Sequence, residues 1–368
     1  MHYKKLNSAA TVKVCDATAV ARSVTAGFKK IFFSLGLFIC VSTANAQDTH
    51  FSQWFNSPLL TNPANTGFIP DDDYRFGANY RNQWVNIMNV PYKTISVYGD
   101  VQAFREKLDN GWLGLGGVIL NDVAGSGNLT STKVYGSVAY HQMVGYSSLI
   151  SAGFNMGFVS KRVNPTQLKF PDQFNKATGF FDAGIPTAAA FNATSIGYFD
   201  MHAGVNYAYF PTEKIYVNAG FSVQHLNRPK ESFFAATSGF DNRLSPRYTG
   251  FISASIKVND MVLLNPQGYY SNQANANELV AGMNAHYNLS GDGTTQLIGG
   301  LYYRLSEAIV PVVGFQWNDF KMTFNYDVTT SSLKAYNNGR GAIEFSLVKQ
   351  GLFNTYNRGA RQVICPRL

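Results

Sequence analysis

Few residues in this chain have the types and spacing that covalent or metal chemistry needs. His141, His202, His225 and His286 each sit in a stretch of alternating apolar and polar residues, without a carboxylate or cysteine at ligand spacing. A zinc site wants three or four donors brought to one point, so these histidines are expected to face a solvated lumen or a membrane interface. Neither a metal nor a cofactor is expected. The chain has no G-x-S-x-G elbow, no P-loop and no H-E-x-x-H, which leaves only a serine–histidine pair assembled across strands as a route to catalysis. The expectation is a protein that is not an enzyme. Asp71-Asp72-Asp73 lacks the spacing of a calcium loop and reads as a solvated turn.

Whatever positions these side chains is a sheet. Phe320, Met322, Phe324, Tyr326 and Val328 alternate with Lys321, Thr323, Asn325, Asp327 and Thr329, and the segments from Phe199 and from Ile215 repeat the pattern. A period of two with contrasting faces belongs to a strand between two solvents. A parallel α/β sheet would instead show continuous apolar runs separated by helical periods, and no convincing amphipathic helix follows residue 46. Strands are expected near 74–84, 92–103, 112–121, 130–142, 148–161, 198–210, 214–226, 247–258, 261–271, 278–288, 294–305, 308–317, 320–330 and 340–349. Most reach the ~9–11 residues that cross a bilayer obliquely. The fold class is therefore all-β, a transmembrane antiparallel β-barrel of about fourteen strands.

Tight turns at Pro211-Thr212-Glu213, Asn259-Asp260 and Asn318-Asp319 alternate with long segments at 162–197, 227–246 and 331–339. That asymmetry, with an even strand number, places both chain ends on the short-turn, periplasmic side. Trp84, Trp112, Tyr140, Tyr209 and Trp317 lie near strand ends and suit aromatic girdles. The polar face is mostly Gly, Ser, Asn, Gln, Thr and Tyr. A lumen lined this way is expected to be largely uncharged and filled, unlike that of a diffusion porin. It is also unlike the charged outer face of a soluble glycan-binding β-sandwich, the other alternative.

Lys29-Lys30, the apolar run Ile31 to Val41 and Ala44-Asn45-Ala46 form a secretory signal peptide over residues 1–46 with a long n-region. Six of the 30 basic residues and one of the 22 acids lie there, so the formal +8 falls to +3 after cleavage. With no basic stripe left, nucleic-acid binding is not expected. Cys15 and Cys40 leave with the leader, and Cys365 alone can form no internal disulfide. The remaining divisions are an N-terminal periplasmic arm at 47–73, the barrel at 74–349 and a periplasmic tail at 350–368. The arm and the segment Leu168 to Phe174 carry Phe, Trp and Leu outside any strand, residues that either plug the lumen or meet a partner.

The motifs His50-Phe51-Ser52-Gln53, Asn62-Pro63-Ala64 with Gly67, Tyr80-Arg81-Asn82-Gln83-Trp84, Tyr140-His141 and Phe170-Pro171-Asp172-Gln173, with a terminal Cys365-Pro366-Arg367, occur in this order. Together they resemble the PorP/SprF family of type IX secretion outer-membrane proteins from Bacteroidetes, with Leu368 where many members end in an aromatic residue. The resemblance implies an integral outer-membrane barrel without catalytic activity, partnered by the periplasmic ring components of the type IX machine and set in outer-membrane lipid. It implies support for the export or anchoring of a secreted surface-protein cargo such as a gliding adhesin. It singles out the arm, the Tyr80 to Trp84 strand and Phe170 to Gln173 as partner-binding or lumen positions. Arg81 either makes such a contact or pairs with Asp100 inside the barrel, since an isolated buried charge needs a partner. Asn62-Pro63 either contributes to docking or only ends the arm.

Overall fold

A computed structural model describes residues 48–353 apart from 70, 71, 86, 89, 106, 109, 183, 190 and 235–241. The signal peptide, most of the tail, Cys365 and Pro366 lie outside the described residues.

The chain reaches its first strand at β1 (Tyr74–Gln83) and continues through β2 (Tyr92–Ala103), β3 (Gly111–Ala124), β4 (Leu129–Met143) and β5 (Ser148–Arg162). A long connection holds a two-stranded ribbon, β6 (Phe174–Asn175) with β7 (Phe180–Phe181). The wall resumes with β8 (Ser195–Thr212), β9 (Ile215–Gln224), β10 (Arg247–Lys257), β11 (Val262–Gln273) and β12 (Ala276–Asn288). It is completed by β13 (Thr295–Arg304), β14 (Ala308–Trp317), β15 (Phe320–Thr329) and β16 (Arg340–Gly351). Each wall strand pairs antiparallel with its neighbours, and β1 pairs with β16 to close a fourteen-stranded barrel. Closure leaves no unpaired edge, the condition for a sheet to stand in hydrocarbon. No helix among the described residues is long and apolar enough to cross a membrane; the crossing elements are strands.

Each expected strand is present, because the alternation that announces it is the alternation of two environments. In β15, Phe320, Met322, Phe324 and Val328 are exposed on the outer surface, while Thr323, Asn325, Asp327 and Thr329 are buried inside. Phe76, Val97, Ile252, Leu301 and Val313 on other strands likewise leave about half their surface exposed. An apolar outside and a polar inside invert a soluble protein and exclude the β-sandwich. Tyr140, Tyr209 and Trp317 are exposed near strand ends, as a girdle requires, but Trp112 is buried inside the barrel. Its indole N–H donates to the Gly67 carbonyl at 2.9 Å, a partner the lipid face could not supply.

The long connections 163–194, 225–246 and 330–339 leave one rim, whereas Glu213-Lys214 and Asn318-Asp319 close hairpins at the other. Both ends of the wall, Tyr74 and Gly351, pair with each other at the short-turn rim.

Candidate functional site

The site of interest is the lumen, because the segment before β1 fills it. Of the two roles open to the arm, plugging the lumen or meeting a partner, its placement is the first: Phe51, Ser52, Gln53, Trp54, Leu59, Asn62, Ala64 and Phe68 are all buried. The physical reason lies in its composition. A turn-rich segment with Pro58, Asn62-Pro63 and Asn65 makes only short single-turn helices, Trp54–Asn56, Pro58–Thr61 and Pro63–Asn65. Their free backbone groups need partners, which a polar barrel interior supplies.

Those partners come from strands all round the wall. The backbone N–H groups of Ser52 and Gln53 donate to the two oxygens of Glu344 at 2.7 and 3.0 Å. Asn155 donates to the Leu59 carbonyl at 3.0 Å, Gln224 to Leu60 at 2.8 Å and Ser222 to Thr61 at 2.8 Å. Asn62 donates to the Asn206 side chain at 2.9 Å and caps its own turn by accepting from the Ala64 N–H. At the far end the Gly67 N–H donates to Asp100 at 2.7 Å, and Gln102 donates to the Ile69 carbonyl at 2.6 Å. Apolar contacts add to this: Trp54 stacks on Tyr269 with ring centres 5.4 Å apart, and Phe55 on Tyr302 at 5.3 Å. Burying each such side chain contributes roughly 1.5–3 kcal/mol.

The wall is shaped for this passenger. A Cβ on Gly114 would lie 1.9 Å from the Thr66 carbonyl oxygen, one on Gly153 would lie 2.4 Å from Pro63, and one on Gly204 would lie 2.0 Å from Asn62. Gly67 itself has φ +65°, a left-handed conformation that favours glycine.

The lumen is filled, as expected, but it is not uncharged. His50 Nε2 lies 3.0 Å from Glu278, which lies 3.1 Å from Arg304. Asp327 then receives Arg304 at 3.4 Å and Arg81 at 3.1 Å, and Arg81 also pairs with Glu344. The Ser52 hydroxyl sits among them, accepting from Arg81 and Arg304 and donating to Asp327 at 2.8 Å. The Arg81–Asp100 pair, one of the two alternatives for Arg81, is not formed. Asp100 stands opposite Arg75 in the β1–β2 register and takes a bidentate pair from it at 2.7 and 3.0 Å, whereas Arg81 stands opposite Glu344 across the β1–β16 seam.

A second cluster lies at the long-loop rim, where the described part of the plug begins. Asp48 pairs with Lys133 at 2.7 Å and with His225, and its backbone N–H donates to Gln273 at 2.8 Å. Burial pushes the Asp48 carboxyl up, but Lys133 and His225 outweigh it and hold the group well below the usual carboxylate range. The plug therefore runs the height of the barrel, from β9 and β11 at the long-loop rim to Asp73 at the short-turn rim. Beside it near the short turns remains a cavity of about 480 Å³, walled by Phe55, His286, Gln296, Gln316, Lys321 and Gln350.

Of the other expected positions, His141 joins this arrangement and the rest fall outside it. Tyr80 and Asn82 share a face of β1 away from Arg81, with Asn82 donating to the Tyr80 hydroxyl at 3.1 Å. Gln83 ends the strand, and Trp84, at φ 61°, turns its ring toward Tyr92 at 5.2 Å. His141 is fully buried rather than solvated. It bonds the Thr66 carbonyl at 2.8 Å and stacks on Trp112 at 4.9 Å. Phe170, Asp172 and Gln173 organise their own loop. Asp172 accepts from the Ala188 N–H at 2.6 Å and from Thr187, and Gln173 accepts from the Phe170 N–H at 3.2 Å. The Ala188 amide, opposed by desolvation and joined by Thr187, holds the Asp172 carboxyl below its ordinary pKa. Sequence reasoning missed Arg75, Asp327, Glu344, Glu278 and Arg304. Each was legible only as an inward-facing position, because its partner lies far away in the chain.

No curated protein matches the chain. Among solved structures it resembles the TodX monoaromatic hydrocarbon channel deltaS2 mutant, with a TM-score of 0.50 and 11% identity over 80% of this chain and 93% of that one. The Ralstonia pickettii toluene transporter TbuX aligns with a TM-score of 0.46 and 13% identity over 80% of this chain and 94% of that one. At such identities the likeness is one of fold. The model of the type IX secretion system membrane protein PorP/SprF matches residues 43–348, which takes in the plug and nearly the whole wall. The chain belongs to the PorP/SprF family of type IX secretion system membrane proteins.

Proposed function

We propose that this chain is a non-enzymatic outer-membrane component of type IX secretion that supports export or surface anchoring of a large surface protein, such as a gliding adhesin, and that it acts as a closed scaffold rather than as a pore. The observation that carries the reading is the plug. A barrel whose lumen is occupied from rim to rim and tied by hydrogen bonds to strands on all sides is suited to presenting its two rims to partners. It is poorly suited to free diffusion, the porin alternative. In this reading the short-turn rim, with both wall ends, faces the periplasmic ring components of the machine, and the long loops face the cargo outside. Lipid contacts the exposed apolar belt.

The test is a detergent-solubilised pull-down of the tagged protein from the outer membrane of its native host, with mass spectrometry of what co-purifies. Ring lipoproteins or one very large surface protein are expected. A solitary barrel that conducts ions in planar bilayers would replace the secretion reading with the porin one.

A further inference from the structure

The register of β8 against β9 brings together three donors that lie apart in the sequence. Asp200 and His202, two residues apart on β8, both point inward, and His225 follows the end of β9. All three are buried, and their donor atoms lie within 4.8 Å of one another. Two imidazole nitrogens aim at one carboxylate oxygen: His225 Nδ1 at 2.8 Å and His202 Nε2 at 3.1 Å from Asp200 Oδ2. Donors bound to a tetrahedral zinc ion at ~2.0–2.1 Å stand about 3.3 Å apart. The two nitrogen–oxygen separations need to open by only a few tenths of an ångström to receive an ion, and the two nitrogens lie within 4.8 Å of each other.

The surroundings match as well. The other nitrogen of His225 faces the Asp48 carboxylate, the carboxylate–histidine–metal arrangement that fixes a ligand's tautomer. Lys133 and the Gln273 amide hold Asp48 in turn, and the Tyr135 hydroxyl donates to Asp200 at 2.8 Å. Asp48 and Asp200 are two buried carboxylates in contact with Lys133, His202 and His225, and a zinc-class ion bound here takes the place of the proton that His225 Nδ1 directs at Asp200, keeping positive charge between the carboxylates.

We propose that Asp200, His202 and His225 form a binding site for a zinc-class divalent metal ion, with Asp48 of the plug orienting His225. The site leaves the fourth ligand position to water and joins the plug, through Asp48, to the wall at the long-loop rim. Its donor set of two imidazoles and one carboxylate favours zinc and its transition-metal neighbours over calcium or magnesium. The sequence expectation that no metal site exists rested on spacing along the chain, and the fold brings His225 to the pair from 23 residues beyond His202.

The full chain, purified from the outer membrane in detergent without a polyhistidine tag, is stripped with chelator and titrated with zinc chloride and cobalt chloride. Elemental analysis and the visible absorption of tetrahedral cobalt(II) are read. One ion per chain is expected. Asp48→Asn should weaken binding about 10- to 100-fold, and His202→Gln, which can still donate to Asp200, should weaken it at least as much. His286→Ala, on β12 away from the cluster, should bind normally. Heat-dependent gel migration checks that each barrel is folded. Wild-type protein that takes up no stoichiometric zinc and shows no cobalt band, or His202→Gln protein that binds like wild type, would leave the cluster as a hydrogen-bonded charge network and overturn the proposal.

Discussion

Arg81 on the first wall strand and Glu344 on the last stand directly opposite each other at the seam where the barrel closes, and they are ion-paired. Both are buried, and the plug reaches each of them through Ser52. The pair thus couples closure of the wall to seating of the plug. Removing one partner of a buried pair strands the other charge, at a cost of roughly 3–5 kcal/mol. Arg81→Ala should therefore lower the temperature at which the barrel loses its compact gel mobility. Arg81→Lys should fall between, since one ammonium does not replace contacts to Ser52, Asp327 and Glu344. An Arg81→Ala barrel that melts like wild type would show that the seam does not depend on this pair.

The close approach of wall to plug gives a second prediction. A side chain at Gly153 would occupy the space of Pro63, and the nearest atoms there belong to plug backbone, which has no flexible end to move aside. Gly153→Val should expel that turn of the plug while the β4–β5–β8 ladder stays paired. The expected result is ion conductance in planar bilayers from a barrel that still shows normal heat-modifiable migration. A silent Gly153→Val protein would mean that the plug tolerates displacement at this point.

The strands were legible because a membrane barrel writes its two environments into every second residue, a local signal. The plug was only half legible. Phe51, Trp54 and Leu59 outside any strand announce burial, but nothing in their spacing says whether a partner or the barrel's own lumen covers them. Ion pairing was illegible for a different reason. Arg75 and Arg81 share the inner face of β1, so either suits Asp100 by composition, and only the strand register decides. The Asp200, His202 and His225 cluster was hidden in the same way, since β8 must pair with β9 before its donors meet.

Asp172 offers a pH-dependent prediction at the long-loop rim. Its carboxyl is held below the ordinary range, first by the Ala188 amide and then by Thr187. A depressed folded-state pKa means that the contribution is fully present above the unfolded value, about 3.9. It is lost as the pH falls through the lower folded value. Limited proteolysis within 163–194 should therefore show the same protection at pH 7 and pH 5. Asp172→Asn should be cut faster at both, because a neutral amide accepts more weakly from the Ala188 N–H. Equal cutting of variant and wild type would show that the carboxylate does not order this loop.

Deleting residues 48–69 tests the plug itself. The wall's ladder does not run through the arm, so the shortened chain should still insert as a barrel. Glu344, Asp327 and Gln224 would lose plug partners and meet water instead. Water can hydrate these groups, so the cost falls mainly on the lost burial of Trp54, Leu59 and Phe68, and thermal stability should drop. The emptied lumen would be lined by Arg75, Arg81, Arg247, Arg304 and Lys133 together with Asp100, Asp200, Glu278, Asp327 and Glu344. Such a balanced lining predicts conductance with weak preference between cations and anions. A synthetic peptide of residues 48–69 added to the shortened barrel should reduce that current, because its partners are still in place. If the shortened barrel conducts no more than the full chain, the wall alone closes the lumen and the arm serves stability rather than sealing.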